Sequence, residues 1–117
     1  MNEDQVVIDD GDAKRWYKGN KFHRIGGPAI EWSDGDKFWY EDGYLHRIGG
    51  PAIELSNGYN TWCEYGKIHR IDGPAVEGVN GYKAWYQNSL RHNEHGPAVI
   101  YSSGRVEYWI NGIQVVK

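Results

Sequence analysis

The sequence predicts an all-β protein in which tandem 23-residue β-hairpin repeats form a single elongated, twisted antiparallel sheet, a solenoid-like meander. Three observations predict this fold. Gly-Pro-Ala recurs every 23 residues, at 27–29, 50–52, 73–75 and 96–98. Glycine-rich turns separate segments of four to six residues, which are too short for helices. The apolar residues include 6 Trp and 9 Tyr against 2 Phe, which suits a half-exposed pleated surface.

The repeats organise the whole chain of 117 residues, which we predict to be one domain. Residues 1–12 form an acidic tail and a half-repeat that caps the array. The full repeats are 13–35, 36–58, 59–81 and 82–104, and a C-terminal half-repeat follows at 105–117. The last five residues predict an exposed edge strand, so a homodimer through this edge is a further hypothesis.

Each repeat contains three predicted joints. The first is a tight turn such as Asp34-Gly35, and the second, shortly after the aromatic pair, is a turn such as Asp42-Gly43. Both turn types need positive φ, which Gly, Asn and Asp tolerate. The third joint is Gly-Pro, which places proline at a strand start where its missing N–H costs least.

Side chains alternate between the two faces of a strand, so the aromatic residues can be assigned to faces. Trp39, Trp62 and Trp85 are predicted to point one way, and Tyr40 and Tyr86 the other. Because equivalent residues recur with the repeat, we expect them to form stacked aromatic ladders along the array.

Charge and cysteine content restrict the class of protein. The chain has 13 basic and 16 acidic residues, a net charge of −3, and nothing in that balance demands nucleic acid or an anionic membrane. Cys63 is alone, so no internal disulfide or cysteine metal cluster is predicted. With no apolar run long enough for a membrane span and no signal peptide before the acidic start, we expect a cytoplasmic protein, in the host cytoplasm if viral.

The segment Tyr40-Glu41-Asp42-Gly43-Tyr44-Leu45-His46 resembles the core of MORN repeats, which share its 23-residue period and its aromatic, glycine and histidine spacing. The resemblance covers about residues 13–112. It departs where that family has a glycine after the histidine, since this chain has Arg24, Arg47, Arg70 and Asn93 there. The resulting His-Arg-x-x-Gly-Pro-Ala unit is similar to MORN-variant repeats of small phage, bacterial and large-virus proteins, some of them antitoxin-like. This resemblance implies a sheet used for protein interaction or scaffolding, sometimes at membranes, with no catalytic residues or cofactor.

Histidine recurs once per full repeat, at His23, His46, His69 and His92. Each histidine could close its own repeat by hydrogen bonding the backbone at the Gly-Pro joint. Alternatively, the row could present donors to phosphate or acidic groups, aided by the neighbouring arginines. We favour the structural interpretation, because a binding site needs one or two copies whereas a fold needs all of them.

Arginine follows this histidine in three repeats, and glutamate lies seven residues further on. The residues are Arg24, Arg47 and Arg70, with Glu31, Glu54 and Glu77. The fourth repeat has Asn93 and Ile100 at these positions and so lacks both charges together. This joint loss favours pairing between arginine and glutamate, and the alternative is arginine as an anchor for a partner.

Other candidate chemistry is weaker. His92 and His95 flank an acid but lie at a loop joint without a third ligand, so we predict no metal site. Cys63 replaces the tyrosine of its unit and is expected to be a half-buried small side chain. The chain has no phosphate loop and no nucleophile elbow, so we predict no enzyme activity, no catalytic residue and no cofactor.

The function predicted from the sequence is a non-enzymatic protein-binding module. The resemblance alone makes its specific version a phage-encoded or mobile-element inhibitor or adaptor that acts by occupying a host protein. The alternatives are a structural scaffold, a membrane-surface binder, and a binder of nucleotides or nucleic acid. Trp and Tyr give large contact area at low entropic cost, and Arg adds bidentate contacts. The predicted partner-binding residues are Trp39, Tyr40, Arg47, Trp62, Arg70, Trp85 and Tyr86.

Overall fold

The structure is a computed structural model that describes residues 5–116, in which every regular element is a β-strand. In chain order the strands are β1 Gln5–Asp9, β2 Ala13–Lys18, β3 Lys21–Phe22, β4 Ile30–Trp32, β5 Lys37–Phe38, β6 Tyr40–Glu41, β7 Tyr44–Leu45, β8 Ile53–Glu54, β9 Asn60–Thr61, β10 Cys63–Glu64, β11 Lys67–Ile68, β12 Val76–Glu77, β13 Lys83–Ala84, β14 Tyr86–Gln87, β15 Leu90–Arg91, β16 Val99–Ile100, β17 Val106–Ile110 and β18 Ile113–Val115.

Twelve strands form one open antiparallel sheet, which confirms the predicted fold class. Eleven follow the order β1-β2-β4-β5-β8-β9-β12-β13-β16-β17-β18, and β3 pairs with β2 beside this path. The other strands form three separate hairpins, β6–β7, β10–β11 and β14–β15. Equivalent strands of successive repeats, such as β5 and β9, therefore lie two positions apart in the sheet.

Tryptophan connects each hairpin to the main sheet. The Trp39 backbone N–H donates to the Ala52 carbonyl at 2.7 Å, and the Trp39 carbonyl accepts from the His46 backbone N–H at 3.0 Å. The Trp39 N–H thus bonds to the main sheet, and the Trp39 carbonyl bonds to the residue that follows the second strand of its own hairpin. The same two bonds recur at Trp16, Trp62 and Trp85.

The hairpin tips have the left-handed backbone that the sequence predicts. Asp42, Tyr65, Asn88 and Asn111 have φ between 46° and 51°. Glycine follows three of them, and Ser89, with φ 64°, follows Asn88. Two consecutive residues with positive φ match the twist of the flanking strands, so these short hairpins close without splaying.

The buried core consists mainly of small residues, because a single-layer sheet leaves little enclosed volume. Ala29, Ala52, Ala75 and Ala98 of the Gly-Pro-Ala joints are all 0% exposed. The molecule measures 54 × 29 × 18 Å, so it is long and thin. Most of the larger apolar side chains, which are mainly aromatic or β-branched, are therefore only partly buried.

The predicted tryptophan stacking does not occur within residues 5–116, where the ring contacts involve other residues. Tyr17, Phe22 and Tyr40 form one chain of rings with centroids 5.0 and 5.2 Å apart. Tyr59 and Tyr82, which are equivalent by the repeat, lie 6.2 Å apart. The tryptophan rings are occupied differently, because arginine side chains lie on them.

Candidate functional site

The arginine of each complete His-Arg loop packs over the tryptophan ring of its own repeat. The guanidinium carbon of Arg47 lies 3.7 Å from the Trp39 ring centroid. The corresponding distances are 3.9 Å for Arg24 on Trp16 and 3.8 Å for Arg70 on Trp62. A guanidinium on an indole face contributes about 0.5–2 kcal/mol, depending on how far it is desolvated. These stacks replace the ring-on-ring ladder expected from the sequence.

The same guanidinium closes the Gly-Pro joint. Arg47 Nη1 donates to the Pro51 carbonyl at 3.1 Å and lies 3.4 Å from Glu54 Oε1. Glu54 Oε1 also accepts from Trp39 Nε1 at 3.0 Å, so these side chains form a closed ring of contacts. The pairs Arg24–Glu31 and Arg70–Glu77, both at 3.5 Å, repeat the expected arginine–glutamate pairing.

A glycine at each of these joints makes room for the arginine. A Cβ on Gly50 would lie 2.7 Å from the guanidinium carbon of Arg47, and Gly27 and Gly73 have the same relation to their arginines. A Cβ on Gly96 would meet only the Asn93 amide nitrogen, at 3.8 Å. The glycine is therefore a steric requirement only where arginine is present.

The fourth loop keeps the joint without the charge. Asn93 Nδ2 donates to the Pro97 carbonyl at 2.9 Å, in the place of the arginine bond. Among the described residues no cation lies on the Trp85 ring, and Ile100 stands where the glutamate would be. Closure of the joint therefore needs one hydrogen-bond donor to the proline carbonyl. The arginine–tryptophan stack and the arginine–glutamate pair occur in the first three loops in addition to that bond.

Each recurrent histidine joins its repeat to the next one. His46 Nδ1 accepts from the Tyr65 backbone N–H at 3.0 Å, and His23 Nδ1 accepts from Asp42 at 2.9 Å. His69 and His92 make the same bond 19 residues ahead. From the sequence, this bond was expected at the Gly-Pro joint of the same repeat. The structure places it at the hairpin tip of the following repeat, because that tip packs against the loop.

An accepting Nδ1 fixes the tautomer of these rings, since the proton must then lie on Nε2. At His92, Nε2 is 3.4 Å from Glu94 Oε1, as a donor would be. His23, His46 and His92 are also buried. Rings held in this way have little capacity left to bind a ligand.

Two grooves separate consecutive loops on the tryptophan side of the sheet. The first groove has a volume of about 290 Å³, and its lining includes Arg24, Trp39, Glu41, Arg47 and Ile48. The second groove has a volume of about 430 Å³, and its lining includes Arg47, Ile48, Trp62, Glu64, Arg70 and Ile71. Each groove thus combines an indole, arginine stems and an isoleucine.

Isoleucine forms the ridges beside these grooves. Ile25, Ile48 and Ile71 follow the three arginines and are 70%, 75% and 70% exposed. These isoleucines are not among the residues predicted from the sequence to bind a partner. The sequence signal for their exposure was that they recur every 23 residues within a loop. A loop residue does not follow the alternation of a strand, so nothing in the sequence predicts that its side chain is buried.

Each groove also contains a carboxylate without an ionic partner. Within residues 5–116, Glu41 and Glu64 form no ion pair or side-chain hydrogen bond. The arginines nearby are already engaged by Glu31, Glu54 and Glu77. Glu41 and Glu64 are therefore the groove-lining charges left available to a ligand, with Lys67 across from Glu64 in the strand register.

The predicted partner-binding residues fall on two faces. Trp39, Arg47, Trp62 and Arg70 come together in the grooves. Tyr40 packs its ring 5.2 Å from Phe22, and Tyr86 Oη accepts from Arg91 Nε at 3.2 Å, both on the opposite face. Trp85 belongs to the tryptophan column but lies beside the uncharged Asn93 loop. The structure thus divides the predicted patch and does not bring the two tyrosines to the grooves.

A similar groove of about 400 Å³ lies at the C-terminal end, between the Asn93 loop and Tyr108. Ile110 occupies the position of Glu41 and Glu64, so that carboxylate is missing there. His95 lines the groove. The residues 5–116 contain no group of three His, Cys, Asp or Glu side chains that could hold a metal ion.

Cys63 is 3% exposed, and burial raises the pKa of its thiol to about 11. A thiol that keeps its proton at neutral pH is a poor nucleophile. The pKa of Tyr40 is also raised, first by burial and then by the nearby Cys63.

No helix that could cross a bilayer occurs in the described part of the chain.

Comparisons of the chain with protein-family models, with curated proteins and with solved structures found no match.

Proposed function

We propose that the protein is a non-enzymatic binding module that holds another protein against its grooves and isoleucine ridges. The observation that carries this proposal is the row of Ile25, Ile48 and Ile71, each at least 70% exposed, beside indole-lined grooves. Exposed apolar residues that recur on one side of a rigid sheet are typical of interaction surfaces. The tight hairpins and the histidine bonds keep this surface ordered before binding, which lowers the entropic cost of association.

Nucleic-acid binding is a weaker candidate for the same surface. Stacking of bases would need free indole faces, and an arginine already covers one face of Trp16, Trp39 and Trp62. Phosphate binding would need unpaired cations, and each of these arginines has a glutamate within about 3.5 Å. The unpaired Glu41 and Glu64 would also repel a phosphate backbone.

A binding module without catalytic residues would act by occupying its partner, so we propose an inhibitor or adaptor role in the cytoplasm. The phage or mobile-element version of that role is supported only by the resemblance to MORN-variant repeats. A scaffold role would use the same surface without blocking an activity of the partner.

The test is capture from host lysate with two variants, one that changes the ridges and one that changes an exposed residue outside both grooves. Ile48→Ser combined with Ile71→Ser removes two ridges, while Tyr44→Ser changes a tyrosine that is 55% exposed and outside both grooves. We expect one stoichiometric protein to bind the wild type and the Tyr44 variant, and to be lost from the double isoleucine variant. A captured protein that tolerates loss of both ridges would contradict the proposal.

A further inference from the structure

The spacing of the grooves restricts the shape of a ligand that enters both of them. Equivalent strands of successive repeats are two positions apart, and neighbouring strands lie about 4.7–4.9 Å apart, so the grooves repeat at about 9.5 Å. A polyproline II helix advances about 3.1 Å per residue with three residues per turn, or about 9.3 Å per turn. Every third residue of such a peptide, laid along the array, therefore meets the next groove.

The chemistry of the grooves matches this type of peptide. Peptides in the polyproline II conformation dock into shallow grooves lined by aromatic side chains. Trp39 lines the first groove and Trp62 the second, while Ile48 stands between them as the shared ridge. An apolar residue in each groove would pack against the part of the half-buried indole that the arginine leaves uncovered, with an isoleucine on its other side.

The charge of the grooves specifies a second feature of the ligand. Glu41 and Glu64 are equivalent residues in adjacent repeats, and neither has an ionic partner in the described part of the chain. A peptide that carries a basic side chain once per turn would place one beside each carboxylate. Gln87 replaces this glutamate in the following repeat, and Ile110 replaces it in the last, so the preference belongs to the first two grooves.

We propose that the first and second grooves bind an extended basic peptide in the polyproline II conformation, with proline or another apolar residue at every third position and Lys or Arg at the same period. This inference rests on the proposed function and names the partner's recognised segment. The ligand is a segment of protein, held by indole packing and by Glu41 and Glu64.

The probe is a synthetic peptide, acetyl-(Pro-Gln-Lys)₄-amide, titrated into the full chain with binding followed by tryptophan fluorescence and isothermal titration calorimetry. One control has the same composition but no two prolines three residues apart, and a second has Glu in place of every Lys. We expect the periodic basic peptide to bind at least about tenfold more tightly than either control, because only it fits both grooves and both carboxylates.

Matched variants test whether the grooves are the site. Glu41→Gln with Glu64→Gln should remove the preference for Lys over Glu peptides, and Ile48→Ser should weaken binding of the periodic peptide. Ile113→Ser, which changes a residue 71% exposed on the C-terminal edge, should leave it unchanged. Unfolding midpoints of all variants are measured alongside, and Ile48→Ser should leave the midpoint unchanged because Ile48 is 75% exposed.

The outcomes separate this inference from the proposed function. If no periodic peptide binds, but a captured protein still depends on Ile48 and Ile71, the binding module stands and the polyproline II ligand is wrong. Equal affinity for the periodic and reordered peptides would also overturn the inference. Binding of a single-stranded oligonucleotide in place of any peptide would overturn both.

Discussion

Arg47 holds several neighbours in place with one planar group. Its guanidinium lies on Trp39, donates to the Pro51 carbonyl and approaches Glu54, while the Gly50 backbone packs beside it. Lysine could supply the charge but not the flat, multiply donating surface. Because an exposed ion pair contributes only about 0–1 kcal/mol, the stack and the carbonyl bond are the larger contributions.

The glycine beside Arg47 gives a matched test of this packing. We predict that Gly50→Ala lowers the free energy of unfolding by about 1–3 kcal/mol, because the new Cβ displaces the guanidinium from Trp39. Gly96→Ala should change it by less than about 0.5 kcal/mol, because Asn93 leaves space. Urea unfolding measures both. A large cost at Gly96, or none at Gly50, would contradict the packing described above.

The buried thiol gives a prediction about reactivity and alkaline pH. With its pKa raised to about 11 from the ordinary 9.0, Cys63 should react with a thiol reagent at pH 8 about a hundredfold more slowly in the folded chain than in urea. The folded state favours the protonated thiol. Its contribution to stability is therefore complete below pH 9 and is lost as the pH rises through about 11.

Cys63→Ala supplies the control for this pH dependence. The variant should lose less stability between pH 9 and 11 than the wild type, although Tyr40 and Tyr82, whose pKa values are also raised by burial, will keep part of the decline. Rapid labelling of the folded wild type at pH 8 would show that the thiol is accessible.

The histidine bond joins one hairpin loop to the tip of the next hairpin. The bond satisfies a backbone N–H at a residue with positive φ, for example Tyr65, where no strand partner is present. His46 also stacks on the Tyr65 ring at 4.1 Å. Each repeat therefore depends on its successor for a contact that it cannot make alone, as expected of repeat proteins.

Two histidines in different surroundings allow this bond to be measured. His46→Ala should cost about 1–3 kcal/mol, because the ring is 4% exposed and the Tyr65 N–H loses its acceptor. His69→Ala should cost less, because the equivalent bond to Asn88 is exposed and water can replace it. His46→Asn keeps an acceptor near the same position and should recover part of the loss. Chemical denaturation provides the three values, and equal costs for His46→Ala and His69→Ala would argue against burial as the cause.

Much of the element structure could be predicted from the sequence, because turn residues and strand formers act locally. The hairpin tips at Asp42-Gly43 and Asn111-Gly112 and the proline joints follow from such local preferences. The target of the histidine bond could not be predicted, since the distance from His46 to Tyr65 becomes short only when two repeats are packed. Arginine on tryptophan was also missed, because sequence spacing does not show how the loop folds back over its strand.

The thin sheet should be visible in solution as an elongated particle. The Cα radius of gyration is 16.3 Å, whereas a compact chain of this length would have about 13 Å. Open edges accompany this shape. β1 exposes Val6, Val7 and Ile8 at one end of the sheet, and β18 lies at the other.

The C-terminal edge leads to a prediction about association. Ile113 is 71% and Val116 93% exposed, and among residues 5–116 β18 pairs with β17 alone. We propose that two copies pair through this edge at high concentration, since an uncovered edge strand can add another strand. Sedimentation velocity should then show a concentration-dependent dimer that Ile113→Lys with Val116→Lys abolishes. A strict monomer at millimolar concentration would exclude the dimer.

The repetition of identical bonds from one unit to the next makes the length of this protein adjustable. The histidine bond of an inner unit is completed by the next unit, and the arginine contacts lie within the unit itself, so one unit can be removed or duplicated without leaving an orphaned partner. Every duplicated unit would lengthen the molecule by about 9.5 Å, the width of two strands. Gene duplication could therefore change the length of the protein in fixed steps, while each added repeat keeps the same internal contacts.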